Sequence, residues 1–236
     1  MQGHIRLVTD DERNITTVRP MPVVNMTYRS IYEEKSRVYK FVKRLFDVVA
    51  STCALIVLSP LFLITAIAIV AEDGGPVFFT QTRAGRDAKP FKIYKFRSMY
   101  RNAEDLFHKM QEQNEQSGHA FKIKNDPRIT AVGRIIRKTS IDELPQLINI
   151  IKGDMSIVGP RPILDFQMEE CNEYEKQRLI VRPGLTCYWQ VSGRAHIGWK
   201  EWVELDLQYI EDMSILTDIK LIFRTIPAVL DGEGSY

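Results

Sequence analysis

The chain has 236 residues, 44% of them hydrophobic and 26% charged, a balance ordinary for one globular domain with a small appendage. Its 32 basic residues barely outnumber its 30 acidic ones, which argues against a general nucleic-acid binder. The three cysteines, Cys53, Cys171 and Cys187, are far apart and form no CxxC pair, so neither a zinc site nor a disulfide framework is indicated and a reducing compartment fits.

Residues 1–40 are polar and mixed, without the apolar core and small-residue cleavage site of a signal peptide. They read as a loose tail leading into a basic amphipathic approach, "SRVYKFVKRLFDVV". From Val48 to Ala71 no residue is charged. These are about 24 residues, or roughly 36 Å of helix, enough to cross a bilayer core. Pro60 interrupts the run: it lacks an N–H, clashes with the preceding turn and kinks a helix. Ser59 can bond back to that turn and deepen the bend. Each remaining arm, about 12 residues and roughly 18 Å, is too short to span alone. Lys35, Arg37, Lys40, Lys43 and Arg44 precede the run, and Arg83, Arg86, Lys89, Lys92, Lys95 and Arg97 follow it. Lys and Arg collect on the cytoplasmic side, so both flanks look cytoplasmic. A kinked spanning helix and a buried core helix are the alternatives; the break and the symmetric flanks favour a re-entrant helix–break–helix.

Beyond the "EDGGP" turn, "VFFTQTRAGRDAKPFKIYKFRSM" alternates apolar and polar residues around a Gly-Arg-Asp turn and predicts a β-hairpin. "YRNAEDLFHKMQEQNEQ" favours helix and "SGHAFKIKNDPR" a loop. "ITAVGRIIRK" suits a short helix with Arg134, Arg137 and Lys138 on its polar side, and "ELPQLINIIKG" a compact helix stopped at Gly153. Two more helices are expected at "WKEWVELDLQYIEDM" and from Ser214 to Leu230. In the second, Ile215, Ile219, Ile222, Ile226 and Val229 recur at helical spacing, a stripe more typical of a core, though beside a re-entrant hairpin it could lie on the interface.

The densest chemistry lies in "RKTSIDELPQLINIIKGDMSIVGPRP". With Asp142 as N-cap, Asp142 and Glu143 would sit at a helix N-terminus, where phosphate can also bind if a divalent cation offsets the carboxylates. Magnesium prefers such hard oxygens, usually one or two carboxylates together with substrate phosphates. The plainer reading is a capping box of Ser140 and Glu143. The surroundings favour chemistry. Arg161, between two prolines, is stiffly mounted for a two-pronged grip on phosphate. "IYKFRSM" supplies Lys95 and Arg97, and "RPGLTCYWQVSGR" adds Arg182, Gln190 and Arg194 among glycine and aromatic residues. Together these suggest a polyanionic substrate handled beside a bilayer. Walker A, protein-kinase, dinucleotide and GxSxG signatures are all missing.

From about Arg44 onward the chain closely resembles bacterial sugar transferases that act as monotopic polyprenyl-phosphate phosphoglycosyl transferases. The likeness rests on "KRLFDVVAS…LSPLFL", "GPVFFTQTRAGRDAKPFKIYKFRSM", "DPRITAVGRIIRKTSIDELPQLINIIKGDMSIVGPRP" and "RPGLTCYWQVSGR" in that order. It implies a helix-rich α/β (α+β) chain: a polar tail over 1–40, a re-entrant membrane helix over 41–73 broken at Ser59-Pro60, and a compact cytoplasmic domain over 74–236 with interfacial amphipathic helices. Some members carry several transmembrane helices before this region; with only a short polar tail, this chain is expected to be a compact form. The resemblance makes Asp142 and Glu143 the catalytic pair. Asp142 attacks the sugar-bearing phosphate of a UDP-sugar, UMP leaves, and a polyprenyl phosphate takes the sugar phosphate from the aspartate. Magnesium is expected on Glu143, and Arg161 on phosphoryl oxygens. Lys95 and Arg97 would serve the lipid phosphate or diphosphate, and Arg182, Gln190 and Arg194 the nucleotide-sugar side. The implied setting is the cytoplasmic face of the bacterial inner membrane, at the first step of a surface polysaccharide, with a homodimer and downstream glycosyltransferases as candidate partners. A catalytically silent scaffold of a polysaccharide assembly is the competing reading, disfavoured by the intact "DE", "PRP" and "KFR" elements.

Overall fold

The computed structural model describes residues 5–10, 14–20, 27–103, 126–192 and 197–231, with side chains over 27–103, 126–192 and 197–229. The fold is helix-rich α+β with small sheets.

Two strands, β1 (Ile5–Asp10) and β2 (Asn14–Pro20), pair antiparallel near the N-terminus. Helix α1 (Tyr28–Glu34) lies inside the stretch read from sequence as tail. Its Thr27 side chain caps the Ser30 N–H, and Tyr28 is buried against Val158, Val203, Tyr209 and Leu221. Ser36 caps α2 (Arg37–Val57), so residue 40 falls within a helix. Helix α3 (Ser59–Asp73) opens with Pro60 in its first turn, where the missing N–H has no helical acceptor to lose. Ser59 Oγ donates to the Ile56 carbonyl at 2.8 Å, the expected back-bond, and the two helices meet at 61°. Among the described residues no single helix is long and apolar enough to cross a membrane; the bent pair meets that test by length and composition only.

The hairpin forms as its alternation predicts: β3 (Phe78–Ala84) pairs with β4 (Pro90–Phe96) from Phe78↔Phe96 to Ala84↔Pro90. The short strand β6 (Ile163–Leu164) joins the other edge of β3. Separately, β5 (Ser156–Val158) and β7 (Gly184–Thr186) run parallel. Gly184 is dictated by close approach there: a Cβ on it would lie 2.1 Å from the Gly159 nitrogen.

Helices α4 (Ala131–Lys138), α5 (Gln146–Lys152), α6 (Asp165–Glu170), α7 (Tyr188–Val191), α8 (Trp199–Asp212) and α9 (Ile215–Asp231) complete the domain. Gly153 ends α5 in the left-handed region (φ 95°), as expected. The helix expected from Tyr100 and the loop after it lie largely in 104–125, outside the described residues. Helix α9 departs from its core expectation. Ile215, Ile219 and Ile226 are exposed, Ile222 is half-buried against the core, and Asp218 and Leu221 face the core. Periodicity finds a stripe but not the medium it faces.

Candidate active site

The dyad residues do not sit at an α-helix N-cap. Asp142 and Glu143 occupy a 3₁₀ turn, Ile141–Glu143, which Ser140 enters with a left-handed φ of 56°; helix α5 begins only at Gln146, after Pro145. Such backbone strain in a non-glycine residue persists only where its surroundings hold it. Ile141 provides that hold, packing beside Ile69, Phe96 and Ile136. The Ser140–Glu143 capping box is absent: Ser140 makes no side-chain cap bond. Glu143 bonds instead to two cations, and charge-assisted contacts of that kind outweigh one neutral backbone N–H.

Those cations are Lys95 from β4 and Arg161 from the Gly-Pro-Arg-Pro segment between β5 and β6. Lys95 Nζ and Arg161 Nη2 each donate to Glu143 Oε1 at 2.7 Å. Burial pushes Glu143 toward the neutral form, but Arg161 and Lys95 overcome it and hold the carboxyl well below the usual carboxylate range. Asp142 behaves oppositely. Burial, helped by the Glu143 charge, lifts it to about 6 against the pull of Lys95, Arg137 and Arg161. Two adjacent carboxylates thus differ in character: one is a clamped anion, the other a buried carboxylate whose side chain accepts no hydrogen bond among the described residues.

Neighbouring elements fix this geometry, several through residues that motif reading missed. Asn149 of α5 is fully buried; its Oδ1 accepts from Tyr94 N at 3.0 Å and its Nδ2 donates to the Lys92 carbonyl at 2.7 Å, tying the helix after the dyad to the strand bearing Lys95. Helix α2 presents a polar stripe at spacings of three and four. Lys43 donates to Val158 O and to Asp218, Arg44 caps the Ile150 and Ile151 carbonyls at the C-terminus of α5, and Asp47 accepts from Ile157 N. From α3, Glu72 accepts from the first N–H groups of α4, at Ala131 and Val132. Both arms of the bent pair therefore grip the elements that carry the site.

Arg161 has its own support. Its guanidinium lies 5.4 Å from the Trp189 ring, Trp189 stacks on Trp202 at 5.0 Å, and Trp202 faces the Arg178 guanidinium at 4.8 Å. Arg178 is fully buried, pairs with the equally buried Asp206, and donates to the Arg161 carbonyl at 3.2 Å. Burial lifts the Asp206 carboxyl to about 6 against the pull of Arg178. Arg83 on β3 donates to the Pro162 carbonyl next door, and burial beside Arg161 lowers its guanidinium to about 10.

The structure brings Asp142, Glu143, Lys95 and Arg161 together and leaves other candidates elsewhere. Arg97 is buried and donates to the Gly74 and Gly75 carbonyls while pairing with Asp73, so it fastens the exit of α3. Arg182 donates to the Gly153 carbonyl on the far end of α5. Gln190 sits on α7 beside Trp189, accepting from Cys187 Sγ at 3.4 Å. Arg194 lies outside the described residues. No three His, Cys, Asp or Glu side chains converge among the described residues. Glu143 Oε2 meets only a 3.5 Å contact from Arg161. Adjacent hard carboxylate oxygens with open valence suit magnesium, which takes phosphate oxygens and water for the rest of its shell.

Comparison with known proteins identifies the family. Residues 38–232 match the family described as bacterial sugar transferase. The chain belongs to that family. It is 40% identical, over 95% of its length, to undecaprenyl-phosphate galactose phosphotransferase of Salmonella typhimurium, covering 51% of that protein. It is 41% identical, over 82% of its length, to the exopolysaccharide production protein ExoY of Rhizobium meliloti, covering 88% of it. A further relative, 41% identical over 85% of the chain, is the UDP-N-acetylgalactosamine-undecaprenyl-phosphate N-acetylgalactosaminephosphotransferase of Aeromonas hydrophila, of which 46% is covered. The chain thus spans about half the length of several curated relatives it matches.

Proposed function

We propose that the protein transfers a sugar-1-phosphate from a UDP-sugar to a polyprenyl phosphate, opening the synthesis of a surface polysaccharide. The observation that carries this reading is the meeting of Asp142 with the clamped Glu143–Lys95–Arg161 cluster in a chain of this family. An Asp142 oxygen attacks the sugar-bearing phosphorus and the bond to the UMP oxygen breaks, leaving an aspartyl phosphosugar. An oxygen of the polyprenyl phosphate then attacks the same phosphorus and the carboxylate departs intact. Burial raises the Asp142 carboxyl, while Lys95, Arg137 and Arg161 favour the ionised form that attacks. Arg161 and Lys95 would hold phosphoryl oxygens in line. Magnesium, held by Glu143 with Asp142 adjacent, would neutralise diphosphate charge.

Membrane seating is part of the same proposal. Phe41 and Leu45 on α2, Leu63 and Ile67 on α3, and Leu216 and Phe223 on α9 are large apolar side chains more than half exposed, and exposed apolar faces of this extent favour a bilayer. The bent pair would enter from the cytoplasmic face and return, with α9 on the interface.

Incubated with the matching UDP-sugar and magnesium but no lipid acceptor, the protein should gain one sugar-phosphate mass on Asp142 and release at most about one UMP per site. An adduct on another residue would overturn the assignment of Asp142. Absence of any adduct across a panel of UDP-sugars would leave the scaffold reading in its place.

A further inference from the structure

Between α1, the first half of α2 and the chain entering β7 lies a small cleft of about 40 Å³, open on one side and lined by no residue of the dyad cluster. Four cations, Lys40, Lys43, Arg44 and Arg182, line it against one carboxylate, Asp47. Among the described residues only Lys43 of these four has a carboxylate ion-pair partner, Asp218 at 3.0 Å; Lys40 donates to the Glu33 carbonyl and lies over the Tyr32 ring. Arg44 is engaged by carbonyls, and so is Arg182, through Nε; among the described residues its two terminal nitrogens have no hydrogen-bond partner. Arg182 is a partly buried cation among cations: burial, then the charges of Arg86 and Arg44, lower its pKa, and a bound anion would relieve that crowding.

The position of the cleft says which anion. The same turns of α2 that turn Lys43, Arg44 and Asp47 inward leave Val38, Phe41 and Leu45 more than half exposed on the other side. A helix of this kind lies in the headgroup plane, and the cleft's Tyr32 and Tyr39 are residues typical of that depth. Phosphate diesters are the anions abundant there, and a guanidinium grips their oxygens in pairs. We infer that this cleft is a second phosphate site, separate from the dyad, that takes the phosphate of an anionic lipid headgroup between Arg182 and Lys40. It shares with the functional reading only the seating of α2 at a bilayer surface.

The test uses the full chain in neutral detergent, titrated with dihexanoyl phosphatidylglycerol or with inorganic phosphate while thermal unfolding is followed. Ligand that binds the folded protein raises the unfolding temperature, and the dose dependence gives an apparent affinity. Arg182→Gln should weaken that affinity about tenfold, the order expected for a charge-assisted pair. Lys200→Gln, an exposed control of equal charge change, should leave it in place with either ligand, and Arg161→Gln, at the dyad, should leave the affinity for the lipid in place while removing only phosphate bound at the dyad. Lys40→Gln repeats the test should Arg182→Gln fail to fold. Weakening seen with both ligands identifies phosphate itself as what is recognised; weakening seen with the lipid alone identifies the headgroup in its lipid. The inference is overturned if neither ligand shifts unfolding, if Arg182→Gln and Lys40→Gln bind as the parent does, or if Arg161→Gln removes the shift given by the lipid.

Discussion

Asp142→Asn should abolish turnover and yet stabilise the protein. Burial outweighs the neighbouring cations at this carboxyl and raises it from 3.8 to about 6. An acid whose folded pKa is raised binds its proton more tightly when folded. Its contribution to stability is therefore fully present below the unfolded value near 3.8 and is lost as pH rises through about 6. That rise corresponds to a penalty on the order of 3 kcal/mol at neutral pH. Asparagine keeps the shape and removes the charge, so the variant should escape most of that penalty. For a chain of this size each kcal/mol moves the unfolding temperature by about 2–4 °C, which gives a gain on the order of 5–10 °C at pH 7.5. Thermal unfolding in detergent at pH 7.5 and at pH 4 reads this directly: the gain should be largest at the higher pH and nearly vanish at the lower. A destabilised variant at pH 7.5, or a gain independent of pH, would refute the reasoning by showing that the Asp142 charge is stabilised where it sits.

Asp206→Asn should act in the opposite direction, because removing one member of a fully buried ion pair strands the other, at about 3–5 kcal/mol. The double change Arg178→Met with Asp206→Leu should recover most of the lost unfolding temperature yet keep the adduct-forming rate low, since the Arg161 carbonyl loses its donor; full recovery of rate would deny Arg178 a positioning role. For the membrane seating, tags at residue 2 and at the C-terminus should both report the cytoplasm, and Pro60→Leu should shift some molecules toward spanning. A periplasmic C-terminus in the parent protein would end the re-entrant proposal.

Local chemistry made much of this protein legible in its sequence. Pro60 and Ser59 determine a break because a ring without an N–H cannot continue the preceding helix and a hydroxyl can bond back to it. Period-two alternation around Gly85 determines the β3–β4 hairpin, and Gly153 determines where α5 stops. The pairing of adjacent acids with "PRP" and "KFR" marked the stretch that carries Asp142, Glu143, Arg161 and Lys95.

Tertiary structure decided what those charges do. Lys95 and Arg97 are two positions apart, yet one grips Glu143 while the other fastens Gly74 and Gly75, because each meets a different distant segment. Arg178, with no motif around it, supports Arg161 only because α8 brings Trp202 and Asp206 against it. The isoleucine stripe of α9 has the same period whether it faces a core or a surface, and only the packing of Asp218, Leu221 and Ile222 inward left Ile215, Ile219 and Ile226 exposed. The contrast between Asp142 and Glu143 has the same origin. Neighbours in sequence share one local environment, but burial and the direction of approach of two cations, one from β4 and one from beyond β5, clamp one carboxylate and raise the pKa of the other.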